Sequence, residues 1–108
     1  MTETIIKAYE LIGPMQGEFV RIVFLGTELT REGYCEETGD WITIVVYDDT
    51  EATALLEKFF REWLHKQDCD IIEYHNADPM VIKRGEIIAS SPNALAEAVI
   101  KVKESTND

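Results

Sequence analysis

Residues 50–66 carry the pattern that most constrains the fold, because their apolar positions have the spacing of one helix face. These positions recur three and four residues apart: Ala52, Leu55, Leu56, Phe59, Phe60 and Trp63. Asp49 or Thr50 is suited to cap the start of this helix, and His65 and Lys66 place positive charge near its end. The pattern predicts an amphipathic helix that packs on a sheet through its apolar side.

The segments around this helix are typical of strands, because they combine β-branched and aromatic residues with turn residues at their ends. Strands are predicted at residues 4–12, 18–25, 41–47, 70–76, 80–82 and 86–89. Residues 13–17 would close a hairpin between the first two strands, and residues 83–85 would reverse the chain between the last two. Ser90 or Ser91 would cap a final helix whose buried side holds Leu95, Ala98, Val99 and Val102.

These elements predict a single α+β domain over residues 1–108. The expected architecture is a two-layer sandwich with a mixed, mostly antiparallel sheet of five or six strands and two helices on one face. The strand–helix–strand unit over residues 41–75 would be a right-handed crossover with parallel strands. Residues 28–40 would form a long acidic loop, and residues 104–108 a frayed tail.

The formal net charge is −11, and most of it lies in one stretch. Residues 28–51 contain eight acidic residues and one basic residue, a net charge of −7. Such a cluster repels nucleic acid and attracts basic protein surfaces, so we expect a basic protein partner and no direct binding to nucleic acid. The residues expected to contact that partner are Glu28, Glu32, Glu36, Glu37, Asp40, Trp41 and Tyr47.

The sequence also favours a cytoplasmic protein without a membrane partner. It has no apolar run near the roughly 20 residues that a membrane span needs. Its first residues form no basic and apolar leader, and its two cysteines, Cys35 and Cys69, are too few for a disulfide scaffold.

Asp48 and Asp49 are the candidates for a metal site, because they follow a strand and precede a helix, where Mg²⁺ binds in α/β sheets. Residues 42–76 resemble the first βαβ unit of a two-component receiver domain, which opens with a strand, an acidic pair and an amphipathic helix. Receivers also need an Asp at the end of a later strand, and residues 80–82 and 86–89 end in none. We therefore interpret the two acids as a helix cap and solvated charges, and predict no metal and no cofactor.

No residue is assigned a catalytic role. The carboxylates of Glu36 and Glu37 are expected to raise the pKa of the Cys35 thiol, which disfavours a nucleophilic thiolate. His75 lies near Glu73 in the sequence, but no ligand spacing typical of a metal site accompanies it.

These features favour a small acidic binding module, an inhibitor or adaptor that engages a basic, nucleic-acid-binding surface of a partner protein. Phage-encoded inhibitors of host nucleases and immunity proteins have this size and composition, so an anti-defence role fits. Two alternatives stay open. One is a divalent-metal- or phosphate-dependent enzyme that uses Asp48 and Asp49, and the other is an acidic secretion-type chaperone.

The strands at residues 18–25 and 41–47 carry apolar residues on both faces, a pattern of strands that are covered on both sides. Two helices on one face would leave the other face bare, so we predict a homodimer or a partner that covers it. The alternative is that the N-terminal hairpin curls over this face and leaves a monomer. Because two subunits of charge −11 repel each other, dimerisation should strengthen as salt is raised.

Overall fold

The computed structural model describes residues 2–106, which form three helices and two antiparallel sheets. The helices are α1 (Glu3–Ile12), α2 (Asp49–Lys66) and α3 (Ala94–Thr106). The first sheet has the order β1-β2-β3-β4, formed by β1 (Met15–Gln16), β2 (Val20–Leu25), β3 (Glu28–Cys35) and β4 (Asp40–Val46). The second sheet has the order β5-β6-β7, formed by β5 (Cys69–Ile72), β6 (Met80–Lys83) and β7 (Glu86–Ser90). The predicted α+β class is confirmed.

The prediction of one mixed sheet with a parallel crossover is wrong. The strands on either side of α2 are β4 and β5, and they lie in different sheets. Within each sheet, strands that follow one another in sequence pair antiparallel. Such pairings need only short connections, so β4 finds its partner in β3 without a crossover.

The predicted first strand over residues 4–12 is instead helix α1. The Thr2 side chain accepts a hydrogen bond from the Ile5 N–H at 3.4 Å and caps the helix. Ala8 and Tyr9 are buried, and Ile5 and Ile12 pack against the same core, which is the spacing of one helix face. The β-branched residues here favour a strand locally, but packing on α3 decides the conformation.

The predicted acidic loop over residues 28–40 is also wrong. Residues 28–35 are the central strand β3 of the first sheet, and only residues 36–39 connect it to β4. Leu29 and Thr30 are buried on opposite sides of β3, while the charged residues Glu28 and Arg31 are exposed. Pairing on both sides holds β3 as a strand despite its acidic residues.

Helix α2 is confirmed, with Asp48 as its cap in place of Asp49 or Thr50. The Asp48 carboxylate accepts a hydrogen bond from the Glu51 N–H at 2.8 Å. The β6–β7 hairpin is also confirmed, because Arg84 and Gly85 both have the positive φ of a two-residue turn. Helix α3 begins after Ser91, whose Oγ accepts from the Asn93 N–H at 3.1 Å. It continues to Thr106, beyond the expected start of a frayed tail, and residues 107–108 lie outside the described residues.

Tyr9 joins α1 to the first sheet. Its hydroxyl donates to the Ile22 carbonyl at 2.5 Å and accepts from the Met15 N–H at 2.8 Å. Its ring meets Phe24 and Phe59 edge-on, at centroid distances of 5.7 and 5.6 Å. Burial raises the pKa of this phenol. Helix α1 therefore closes the core between the first sheet and α2.

The molecule is elongated, with extents of 52 × 34 × 19 Å. Its radius of gyration is 15.3 Å, against about 13 Å for a compact chain of this length. Phe24 and Leu29 in the first sheet pack into the core beneath the helices. Ile42 and Ile44 are exposed, which indicates that the far part of the sheet projects beyond the helices.

Candidate functional site

Seven of the eight acidic residues of the 28–51 stretch, all except Glu32, are divided between the two ends of the first sheet. Glu36, Glu37 and Asp40 lie in and beside the β3–β4 turn, which we call the tip. At the other end, Glu28 begins β3, and the start of α2 carries three acids, Asp48, Asp49 and Glu51. All seven are exposed, so the negative charge faces solvent at both ends of the sheet.

Exposed apolar side chains are concentrated on the same sheet. Among residues 2–106, seven of the nine large exposed hydrophobic residues belong to it or adjoin it: Phe19, Leu25, Tyr34, Ile42, Ile44, Val45 and Val46. Exposed apolar side chains bordered by charged residues are typical of surfaces that bind another protein.

An ion pair between Arg21 of β2 and Glu32 of β3 lies on one face of the first sheet. Arg21 Nε lies 2.6 Å from Glu32 Oε1, and the Glu32 side chain is only 8% exposed. The Arg21 guanidinium also lies 4.4 Å from the centre of the Trp41 ring, and Trp41 contacts Tyr34 at 5.3 Å between ring centroids. The ladder register brings these residues together, because Arg21 is opposite Glu32 and Tyr34 is opposite Trp41.

The tip contains a shallow depression that combines aromatic rings with carboxylates. It is lined by Phe19, Tyr34, Cys35, Glu36 and Glu37. The Tyr34 N–H donates to the Phe19 carbonyl at 2.9 Å, which holds the two aromatic residues side by side. Aromatic faces and carboxylates both attract cations, so the depression can accept a Lys or Arg side chain from another molecule.

The structure brings four of the seven predicted partner-contact residues together and separates the other three from them. Glu36, Glu37, Asp40 and Trp41 lie together at or beside the tip, as a shared binding surface requires. Glu32 is buried in its ion pair with Arg21, Glu28 lies at the opposite end of β3, and Tyr47 packs against the core. Sequence reasoning missed Phe19, Tyr34 and Arg21, because only the strand register reveals that they adjoin the acids.

The expectation that nearby carboxylates raise the Cys35 pKa is wrong. A hydrogen bond from the Thr38 side chain, together with the backbone N–H groups of Thr38 and Glu37, lowers the pKa of this thiol below its ordinary value. The β3–β4 turn brings these donors to the sulfur, and their effect on the pKa exceeds the opposing effect of desolvation. By contrast, burial raises the pKa of Cys69.

Cys35 is expected to react with iodoacetamide at neutral pH well before Cys69 does. The thiolate is the reactive form, and Cys35 is both partly exposed and lower in pKa, whereas Cys69 is buried. Mass spectrometry of timed samples, followed by peptide mapping, measures both rates. Equal rates for the two cysteines in the folded protein would contradict the assignment, and unfolding in urea should remove the difference.

The candidate metal site at Asp48 and Asp49 gains no further ligand from the fold. Asp48 is occupied as the α2 cap, and no group of three or more His, Cys, Asp or Glu residues in the described part of the chain is placed to hold a metal. A cleft of about 420 Å³ between α2, the start of α3 and residues 73–79 includes none of Asp48, Asp49 and His75 in its lining. Arg61 in that cleft is paired with Glu73.

None of the helices within residues 2–106 is long and apolar enough to cross a membrane. Comparison with protein-family models, with curated proteins and with solved structures finds no match to this chain.

Proposed function

We propose that this protein is a protein-binding module whose tip receives a basic side chain of its partner. The observation that carries the proposal is the depression in which Phe19 and Tyr34 lie beside Glu36 and Glu37. A Lys or Arg placed there would contact aromatic faces and carboxylates at once. Trp41, held under Arg21, continues the aromatic surface away from the tip.

The surrounding surface supports the same function. Exposed apolar residues such as Ile42 and Val46 supply area that a partner can bury, and Asp40 adds charge beside the tip. Negative potential at the projecting end of the molecule would steer a basic surface toward it, most strongly at low salt. An inhibitor or adaptor that covers a basic, nucleic-acid-binding surface would use both properties.

Reversing the tip charges with Glu36→Lys, Glu37→Lys and Asp40→Lys is expected to slow association with the partner by about tenfold or more at low salt, with a smaller effect at high salt. Glu32 is left unchanged, because its reversal would place a second cation against Arg21 and damage the fold. The partner is first isolated from the native host by affinity capture and identified by mass spectrometry. Association rates are then measured with the purified pair.

The matched control reverses three exposed acids far from the tip: Glu10→Lys, Glu62→Lys and Glu86→Lys. It changes the net charge equally, so it separates a general electrostatic effect from a specific site. The proposal would be wrong if both triple variants slowed association to the same extent, or if the tip variant bound as fast as the parent protein.

A further inference from the structure

The outer edge of β4 is open. β4 is the last strand of the first sheet, and within residues 2–106 it pairs only with β3. All of its seven residues except Trp41 are exposed, and Ile44 reaches 60% exposure. An open edge presents unpaired N–H and C=O groups, which another strand can satisfy.

Most of the features by which proteins protect such an edge are missing here. Residues 41–47 contain no charged residue and no proline, and residues 42–46 are all β-branched, which favours extended pairing. A bulge between Arg31 and Glu32 of β3 places Ile44 out of the regular ladder. The edge is therefore uncharged along its length and is interrupted once.

The charges lie at the two ends of this edge. Asp40 begins β4, and Asp48 and Asp49 follow it, so the acids are separated by about 26 Å of extended chain. A second copy paired antiparallel along β4 would bring Asp40 close to the partner copy's acids, and like charges across a strand pair are destabilising. A strand with basic residues at its ends would instead meet an opposite charge at both ends, in either direction.

We propose that the β4 edge binds an extended segment of a partner protein that has an uncharged, β-branched centre and Lys or Arg at both ends, and that this segment adds a fifth strand to the sheet. The backbone hydrogen bonds would provide affinity, and the terminal charges would select the segment. This site is separate from the tip depression, so it can exist whether or not the tip binds a basic side chain.

The test uses a fluorescently labelled nine-residue peptide, two lysines followed by alternating threonine and valine and ending in two lysines, with the intact protein. One control peptide has proline at the central position, and another has glutamates in place of the lysines. We expect the first peptide to bind about tenfold more tightly than the proline control, which lacks one N–H donor and cannot extend the ladder. The glutamate control should bind still more weakly, and added salt should weaken the binding of the lysine peptide.

Hydrogen exchange identifies where the peptide lies. Saturating lysine peptide should slow amide exchange within residues 41–46 of β4 and leave β7 unchanged. On the protein side, Ile44→Lys should reduce binding, while Ile87→Lys, at a similarly exposed isoleucine of β7, should not. The peptide controls use the unaltered protein, so they test the inference even if the Ile44→Lys variant does not fold.

Three results would overturn the inference. The proline control could bind with the same affinity as the lysine peptide, or the lysine peptide could slow amide exchange only at residues 34–37 of the tip. The third result is slow exchange of β4 without any peptide, in a protein whose mass in solution is that of a dimer. The last result would assign the edge to a second copy, and light scattering at low and high salt measures it. The homodimer expected from the sequence stays a prediction, and its salt dependence is opposite to that of the lysine peptide. Failure at β4 leaves the tip proposal standing, since Glu36 and Glu37 are unchanged in every arm.

Discussion

Replacing Phe60 with alanine is expected to lower the free energy of unfolding by about 3–5 kcal/mol. Phe60 is 2% exposed and has the largest side chain among the fully buried residues. It lies between Leu56 and Leu64 on the buried side of α2, so truncation removes a large apolar contact from the core. Urea unfolding followed by circular dichroism measures the change.

Phe19→Ala is the matched control, because it removes the same side chain from a half-exposed position at the tip. We expect this variant to lose about 1 kcal/mol or less, while its binding to the partner weakens. A small stability loss for Phe60→Ala, or similar losses for both variants, would contradict the arrangement of the core.

Replacing Arg21 with methionine is expected to lower the free energy of unfolding by about 2–3 kcal/mol, because the Glu32 carboxylate would then be buried without its counter-charge. The exposure of Arg21, 32% of its side chain, keeps the loss below that of a fully buried pair. Loss of the guanidinium over Trp41 adds to the effect. Thermal and urea unfolding at neutral pH and moderate salt report the difference.

The double variant Arg21→Met and Glu32→Leu separates the two causes. Removing both charges leaves no unpaired carboxylate, so stability should recover most of the loss seen with Arg21→Met alone. If the double variant were as unstable as the single one, the loss would come from the packing of Arg21 against Trp41. Arg31→Met, at an exposed position of the same strand as Glu32, should change stability by less than about 0.5 kcal/mol.

The elements that were predicted correctly are those whose signals are local. The stripe of α2 repeats over several turns, so its period identifies a helix without knowledge of the rest of the chain. The Arg84-Gly85 turn likewise specifies the β6–β7 hairpin, because a two-residue connection permits few pairings. The acidic character of the protein also follows from its composition alone.

The N-terminal segment shows where local signals fail. Residues 4–12 are rich in β-branched residues, yet they form α1, because Ala8 and Tyr9 fill a space between α3 and the first sheet. The contacts that decide this conformation join α1 to α3, which lies about 90 residues further along the sequence. A short apolar segment fits a strand or a helix, and its surroundings select between them.

The candidate site, too, has some features that the sequence shows and others that only the fold reveals. The sequence by itself determined that acidic residues cluster between positions 28 and 51, and it predicted seven partner-contact residues in this stretch without showing which of them lie together. Only the tertiary structure decided that Phe19 and Tyr34 lie beside those acids, that Glu32 is withdrawn into an ion pair, and that β4 has an open edge. The physical reason is that strand register and sheet order are set by pairing between distant segments, and one residue of register shift would turn every one of these side chains to the other face.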